Sequence, residues 1–154
     1  MTTKPLVRHT IVTVLCFDAR RNTILLVEQA KPGEIPTWAL PGGTWEVYES
    51  AEEAARREVA EETGLEIELI GLYDSRVELV ETEEAHVGVY ILTYEARYTG
   101  GSLHPCDPDH HVRRAAWVSV DELPHLSFGH AGQLKLLRRY LAERWGRGIY
   151  IHEN

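Results

Sequence analysis

Residues 43–65 read GTWEVYESAEEAARREVAEETGL, and this stretch decides how the rest of the chain is read. Ser50 followed three residues later by Glu53 has the form of a capping box, and Gly64 stands where a helix usually stops, so residues 51–63 are predicted to be helical. On that helix Glu58, Glu61 and Glu62 lie within one turn, which gathers them into an arc of about 100°. Ala51, Ala54 and Ala55 share the direction, whereas Glu52, Arg56 and Thr63 lie well around the cylinder. The acidic arc therefore coincides with small side chains that permit close approach to a neighbouring surface.

Like charges at Glu58 and Glu62 destabilise an isolated helix by roughly 0.2–0.5 kcal/mol. A solvated acidic face is the plainer reading of the glutamates alone, since Glu52 with Arg56 and Glu53 with Arg57 form i,i+4 pairs. The context changes the balance. Pro41-Gly42-Gly43 precedes the helix, reads as a sharp turn, and can bring a backbone carbonyl near the acidic face. Carboxylate and carbonyl oxygens are preferred ligands of hard divalent cations, which hold on to waters that exchange for phosphate oxygens.

The spacing over the whole segment is glycine, five residues, glutamate, seven residues, Arg-Glu, an aliphatic residue, any residue, Glu-Glu, any residue, glycine and an aliphatic residue. Gly43, Glu49, Arg57, Glu58, Glu61, Glu62 and Gly64 fill the fixed positions, with Val59 and Leu65 at the aliphatic ones. Chance placement of the seven fixed residues is on the order of 1 in 100,000 per chain. The pattern is the Nudix box, and the sequence resembles the Nudix hydrolases. The resemblance implies an α/β fold, an α/β/α sandwich around a mixed β-sheet, and hydrolysis of a phosphoanhydride bond in a nucleotide or nucleoside diphosphate derivative. Carried over by position, it makes Glu58, Glu61 and Glu62 metal ligands, adds the Gly42 carbonyl, and makes Arg57 and Glu49 a pair that orients Glu58. Magnesium is the implied ion, with manganese as the substitute. Glu61 or Glu62 serves instead as general base in some arrangements of this kind, and both roles stay open here.

Outward from the box, residues 9–17 and 24–27 read as a β-hairpin, 31–37 as a loop and 38–40 as a short extended piece. Residues 65–80 and 85–98 read as long strands around an acidic turn, 100–111 as loop and 115–120 as a further strand, with a turn beginning at Asp121. Leu134, Leu137, Leu141 and Trp145 recur at helical spacing within 132–145 and predict an amphipathic helix.

The chain has 154 residues, 44% hydrophobic and 26% charged, without repeat or linker, which fits one domain over 1–154. A net charge of −8 gives no attraction to duplex nucleic acid or anionic lipid, so if the substrate is anionic something other than net charge must hold it, and a bound divalent cation is the obvious candidate. Cys16 and Cys106 are too few for a disulfide framework, and no apolar stretch is long enough for a membrane span. With no targeting signal, a cytoplasmic location is expected.

Several residues outside the helix are candidates for substrate binding. Trp38 and Tyr48 could stack on a base, core packing being the commoner role for an aromatic at a strand end. Tyr48 replaces a glycine that many relatives carry at this unfixed position. Some Nudix proteins use an acidic residue ahead of a late strand, which makes Asp109 a candidate, whereas Asp107 reads as turn chemistry. His110 and His111, with no partner at ligand spacing, read as exposed loop residues, and Trp117 as core. No proline occurs between Pro41 and Pro105, so the marker of the ADP-ribose subgroup is missing, and Tyr73 lies too near the box for the dinucleoside polyphosphate subgroup. Nucleoside triphosphates, damaged ones included, are the substrates left by elimination. A catalytically inactive nucleotide-sensing module is the alternative, and the intact fixed positions weigh against it. Homodimerisation is a further expectation of the resemblance.

Overall fold

Side chains along β1 (Leu6–Asp18) alternate between two faces, as the twofold period of a strand requires. Val12, Val14 and Cys16 enter one apolar cluster, whereas Leu15 and Phe17 enter another. The structure, a computed structural model, describes residues 3–106 and 108–147. β2 (Thr23–Gln29) repeats the division, with Leu25 on the first side and Ile24 and Leu26 on the second. Each face is closed by one helix, α1 (Ala51–Thr63) on the first and α2 (Ala131–Trp145) on the second. This is the expected three-layer α/β/α arrangement.

The sheet between them is mixed. β1 runs parallel to β6 (His86–Gly101), in register from Leu6 opposite His86 to Cys16 opposite Ala96. The other strand pairs are antiparallel: β1 with β2 and with β4 (Gly42–Thr44), β2 with β3 (Thr37–Ala39) and β7 (Val112–Ser119), and β5 (Leu65–Glu81) with β6. Parallel strands need a long crossover, and here the segment from β2 through α1 and β5 supplies it. A buried hydroxyl pair, Thr13 Oγ1 and Thr93 Oγ1 at 2.8 Å, ties β1 to β6.

Helix α1 has the predicted bounds, and Ser50 Oγ accepts the Glu53 N–H at 3.1 Å. Pro41-Gly42-Gly43 differs from expectation, because the bend is confined to Pro41 and both glycines lie in β4. Gly42 is needed for approach rather than turning: a Cβ there would lie 2.1 Å from the Val12 carbonyl oxygen. Asp121 to Pro124 belong to a 3₁₀ turn, Val120–His125, and β7 starts three residues earlier than the alternation indicated.

On α2 the buried face is Leu136, Leu137, Tyr140 and Leu141. The predicted stripe is thus shifted: Leu134 is half-buried and Trp145 is 43% exposed, packing its ring 5.2 Å from Phe17. Trp117 packs half-buried against the α1-side cluster. Cys16 and Cys106 are unbridged, and burial pushes the Cys16 thiol up to about 12. Among the described residues no helix is long and apolar enough to cross a membrane. Asp107 lies outside the described residues.

Candidate active site

Four segments converge on one cleft of about 450 Å³: the end of β2 at Gln29, β4 with the start of the box loop, the last two turns of α1, and the loop before β7. The packing of α1 explains the first contacts. Ala51, Ala54, Ala55 and Val59 bury a small face against the sheet, so the helix lies close to β4. A Cβ on Gly43 would lie 2.6 Å from the Glu58 carboxyl carbon, so the side chain that glycine lacks is the space that Glu58 occupies.

Arg57 organises the acids. Its Nε–H and Nη2–H donate to both oxygens of Glu49 at 2.9 and 2.6 Å, a bidentate pair of fixed geometry. Nη1 donates to Glu58 Oε1 at 3.0 Å and Glu61 Oε2 at 3.2 Å, and Nη2 also reaches the Thr44 carbonyl at 3.0 Å. Glu62, 7% exposed, accepts the Gly42 N–H at 2.7 Å through Oε1. The hydrogen bonds from Arg57 hold the Glu49 carboxyl below the ordinary carboxylate value, and the same contacts raise the Arg57 guanidinium further above its own. The box loop is tightened at its other end by the Trp45 Nε1–H to the Glu49 carbonyl, 2.7 Å, and the Glu46 N–H to Glu49 Oε1, 3.1 Å.

The C-terminal end of α1 is stitched to the loop that completes the cleft. The Cys106 N–H donates to the Glu61 carbonyl at 2.7 Å and the His104 N–H to the Thr63 carbonyl at 2.9 Å, satisfying groups a helix end leaves free. Gly64 permits this closure with φ of 78°, and a Cβ there would sit 2.6 Å from the Ser102 carbonyl oxygen. The stitched loop carries Pro108, Asp109 and His111 to the cleft wall.

The donor set suits a hard divalent cation, being carboxylate and backbone oxygen at one wall of the cleft. Its present geometry is held by protein contacts. Glu58 and Glu61 turn toward Arg57 and Glu62 toward Gly42, and among the described residues no three acidic, histidine or cysteine side chains form a ready-made cation cage.

The sequence profile of the NUDIX domain matches residues 7–140. The chain belongs to the NUDIX family. An ADP-ribose pyrophosphatase of Methanocaldococcus jannaschii is 31% identical over 143 residues, 91% of this chain and 77% of that protein. The 8-oxo-dGDP phosphatase NUDT18 of Mus musculus is 33% identical over 114 residues, 73% of this chain and 33% of its own length. The chain spans only 25–34% of the length of several curated relatives. Among solved structures, a NUDIX hydrolase from Nitrosomonas europaea superposes with a TM-score of 0.74 at 24% identity, covering 95% of this chain and 93% of that one.

Within this NUDIX fold the sequence candidates separate. Gly42, Arg57, Glu58, Glu61, Glu62 and Asp109 line the cleft, and Glu49 stands behind Arg57. Trp38 does not reach it. Its ring is buried in the α2-side cluster with the Arg114 guanidinium 4.9 Å from its centre, the core packing that is the commoner of the two roles the sequence allowed. Tyr48 is 97% exposed at the outside of the box loop and is not among the lining residues. Gln29, Thr44 and Glu46 were not legible from spacing. His111 also lines the cleft, whereas His110 is exposed beside it with φ of 56°. The His111 carbonyl accepts the Ala30 N–H at the end of β2, 2.9 Å, a long-range contact that no local pattern encodes.

Proposed function

We propose that this chain is a divalent-metal-dependent hydrolase that cleaves a phosphoanhydride bond in a nucleotide or nucleoside diphosphate derivative, by attack of water at phosphorus. The observation that carries this reading is the Arg57 hub, which draws three glutamates of two elements into one hydrogen-bonded unit at the cleft wall. Glu58, Glu61, Glu62 and the Gly42 carbonyl would hold the ion, magnesium foremost and manganese as substitute. When bound, such an ion supplies charge neutralisation at the phosphoryl oxygens and an acidified water.

The chain's own groups do the positioning. Glu49 fixes the Arg57 guanidinium, which in turn fixes Glu58, so neither needs to touch the ion to matter. Glu62 is buried and commits one oxygen to the Gly42 N–H, whereas the Glu61 side chain is 30% exposed. Of the two, Glu61 is therefore the one proposed to serve instead as the base: when it is not a ligand of the ion, its carboxylate accepts the proton released as the water oxygen bonds to phosphorus and the phosphate leaving group departs. Asp109 lies across the cleft and is proposed to contact substrate. The unbridged Cys16 and Cys106 fit a reducing compartment, and the cytoplasm is the proposed location.

Nucleoside triphosphates, oxidised ones included, are the leading substrates; a Bacillus subtilis relative named a putative 8-oxo-dGTP diphosphatase supports this, and relatives named as an 8-oxo-dGDP phosphatase bring in the oxidised diphosphate. The ADP-ribose pyrophosphatase similar over 91% of the chain favours ADP-ribose as the second reading. A panel of dGTP, 8-oxo-dGTP, 8-oxo-dGDP and ADP-ribose, assayed with magnesium and with products identified by phosphorus NMR, separates the two. Glu58→Gln and Glu62→Gln are expected to lose turnover with an unchanged circular dichroism spectrum, and Arg57→Lys to lose about 10- to 100-fold. No turnover on any member of the panel would instead favour a nucleotide-sensing module.

A further inference from the structure

β5 is the outermost strand on its side of the sheet, and its two halves differ. Between Glu66 and Asp74 the register with β6 shifts three times, and such irregularities turn an edge away from further pairing. From Asp74 opposite Thr93 to Glu81 opposite His86 the register is unbroken, and among the described residues no strand pairs with the outer side of this run. The sheet's other end is covered: β3 is three residues long, and Trp38 bonds outward to the Ser127 carbonyl and the Gly129 N–H. We propose that residues 74–80 of β5 are an interface with a second copy of this chain, paired antiparallel about a twofold axis through Val77.

The run has the side chains of an interface. Val77, Leu79 and Val80 are exposed, Leu79 at 81%, and neither proline nor lysine interrupts them. An unpaired edge of this kind is a template for another strand. Its charges decide which strand. Arg76 and Glu78 share one face of β5, with Arg76 Nη2 3.7 Å from Glu78 Oε1, and both remain partly exposed, so each can turn to a second copy.

Facing residues of an antiparallel pair point to the same face, so the axis must pass through a residue and not between two. An axis through Val77 sets Arg76 against Glu78 twice and Leu79 against Ser75. An axis through Arg76 sets that residue against itself and Asp74 against Glu78, and one through Glu78 again sets like charges together. An axis through Ser75 offers Arg76 only Asp74, which Arg139 already holds at 2.5 Å, and meets the register shift between Leu72 and Asp74. Axes beyond Glu78 offer Arg76 no acid within β5. The Val77 axis alone answers both charges along an unbroken ladder.

The surroundings favour the same register. Arg76 borders a recess lined also by Lys135 and Arg139, so the incoming Glu78 meets cations in a chain whose net charge of −8 otherwise opposes association. β6 and β1 stand between this edge and β4, so the pairing leaves the cleft open and does not depend on the hydrolytic reading.

Sedimentation equilibrium of the full chain tests the interface apart from any turnover, and a mass of two chains is expected. Glu78→Arg and Arg76→Glu each bring like charges together at two symmetric positions, so each is expected to raise the dimer Kd about tenfold. Combining Arg76→Glu with Glu78→Arg restores opposite pairs and is expected to return Kd to within about threefold of the wild type. In a Cys106→Ser background, oxidised Val77→Cys is expected to cross-link two chains through the axis. Leu79→Cys, whose two copies would lie four residues or about 13 Å apart, is expected not to. The cross-link changes no charge, so it decides the matter even if a charge variant fails to fold. A wild type that is monomeric at about 100 μM, single variants that leave Kd unchanged, a double variant no tighter than the singles, or equal cross-linking in Val77→Cys and Leu79→Cys would overturn the interface.

Discussion

The two helices close opposite faces of one sheet with opposite side chains. α1 buries Ala51, Ala54, Ala55 and Val59, whereas α2 buries Leu136, Leu137, Tyr140 and Leu141. The small face gains little from apolar burial but brings the α1 backbone near β4, where Gly43 leaves room for Glu58. The large face gains about 1.5–3 kcal/mol per fully buried side chain and carries no acid of the cleft. The difference teaches that precision and stability are drawn from separate layers: α1 is placed by glycine and by Arg57, and α2 anchors the fold.

Leu137→Ala is the strongest way to break this division. Leu137 is fully buried, and its truncation is expected to cost about 2–5 kcal/mol in urea unfolding, with kcat of the folded fraction unchanged. A folded variant with depressed kcat would show that α2 also shapes the cleft. Gly43→Ala is the counterpart on the other face. Its methyl would meet the Glu58 carboxylate, a flexible chain end that can swing aside, so stability changes little while turnover falls about hundredfold through the misplaced acid. A large loss of stability with turnover retained would place Gly43 in the structural rather than the positioning class.

The same contrast explains what the sequence could convey. The bounds of α1 and the acids on one of its faces were legible, because cap residues and helical period are local properties, whereas the Glu49–Arg57 pair came with the resemblance, helical spacing alone offering Glu53 to Arg57. The layered α/β fold followed from the resemblance, whereas strand alternation marked only the individual strands. Gln29 and His111 were not legible, since they are brought together by pairing of distant segments: β2 with β7, Gln29 opposite Val112, and the Ala30 N–H on the His111 carbonyl. Trp38 left two roles open because an aromatic at a strand end has the same local signature whether it faces core or ligand, and the commoner one, core packing, is where it lies. On α2 the heptad-like leucines marked a helix but not its buried face, because Tyr140 and Leu136 displace Leu134 and Trp145 from it.

Glu49→Gln sharpens the comparison through pH. The folded Glu49 carboxyl titrates below its unfolded value because Arg57 donates to it. Its contribution is thus present above the unfolded carboxylate pKa and is lost as pH falls through the lower folded value. The wild-type protein is expected to have a higher Tm than Glu49→Gln at neutral pH, and the gap to close as the solution is acidified below the ordinary carboxylate range. A gap that is constant with pH would mean that Glu49 acts by packing and not by its charge.

The smallest effect concerns how each helix begins. Ser50 Oγ satisfies the Glu53 N–H of α1, whereas His130 makes no side-chain cap for α2. A helix with a small buried face depends more on its cap, so Ser50→Ala is expected to cost about 1 kcal/mol. Ser50→Asp retains the acceptor and is expected to keep stability near that of the wild type. The cleft acids lie at the far end of α1, where Gly64 and Cys106 donate to the Ala60 and Glu61 carbonyls, so fraying of the first turn leaves them in place and kcat unchanged. His130→Ala, removing no such bond, is expected to shift stability by less than about 0.5 kcal/mol. Equal losses in Ser50→Ala and His130→Ala would mean that the cap is not what distinguishes the two helix starts, and that α1 is held at both ends by its contacts with β4 and the cleft loop.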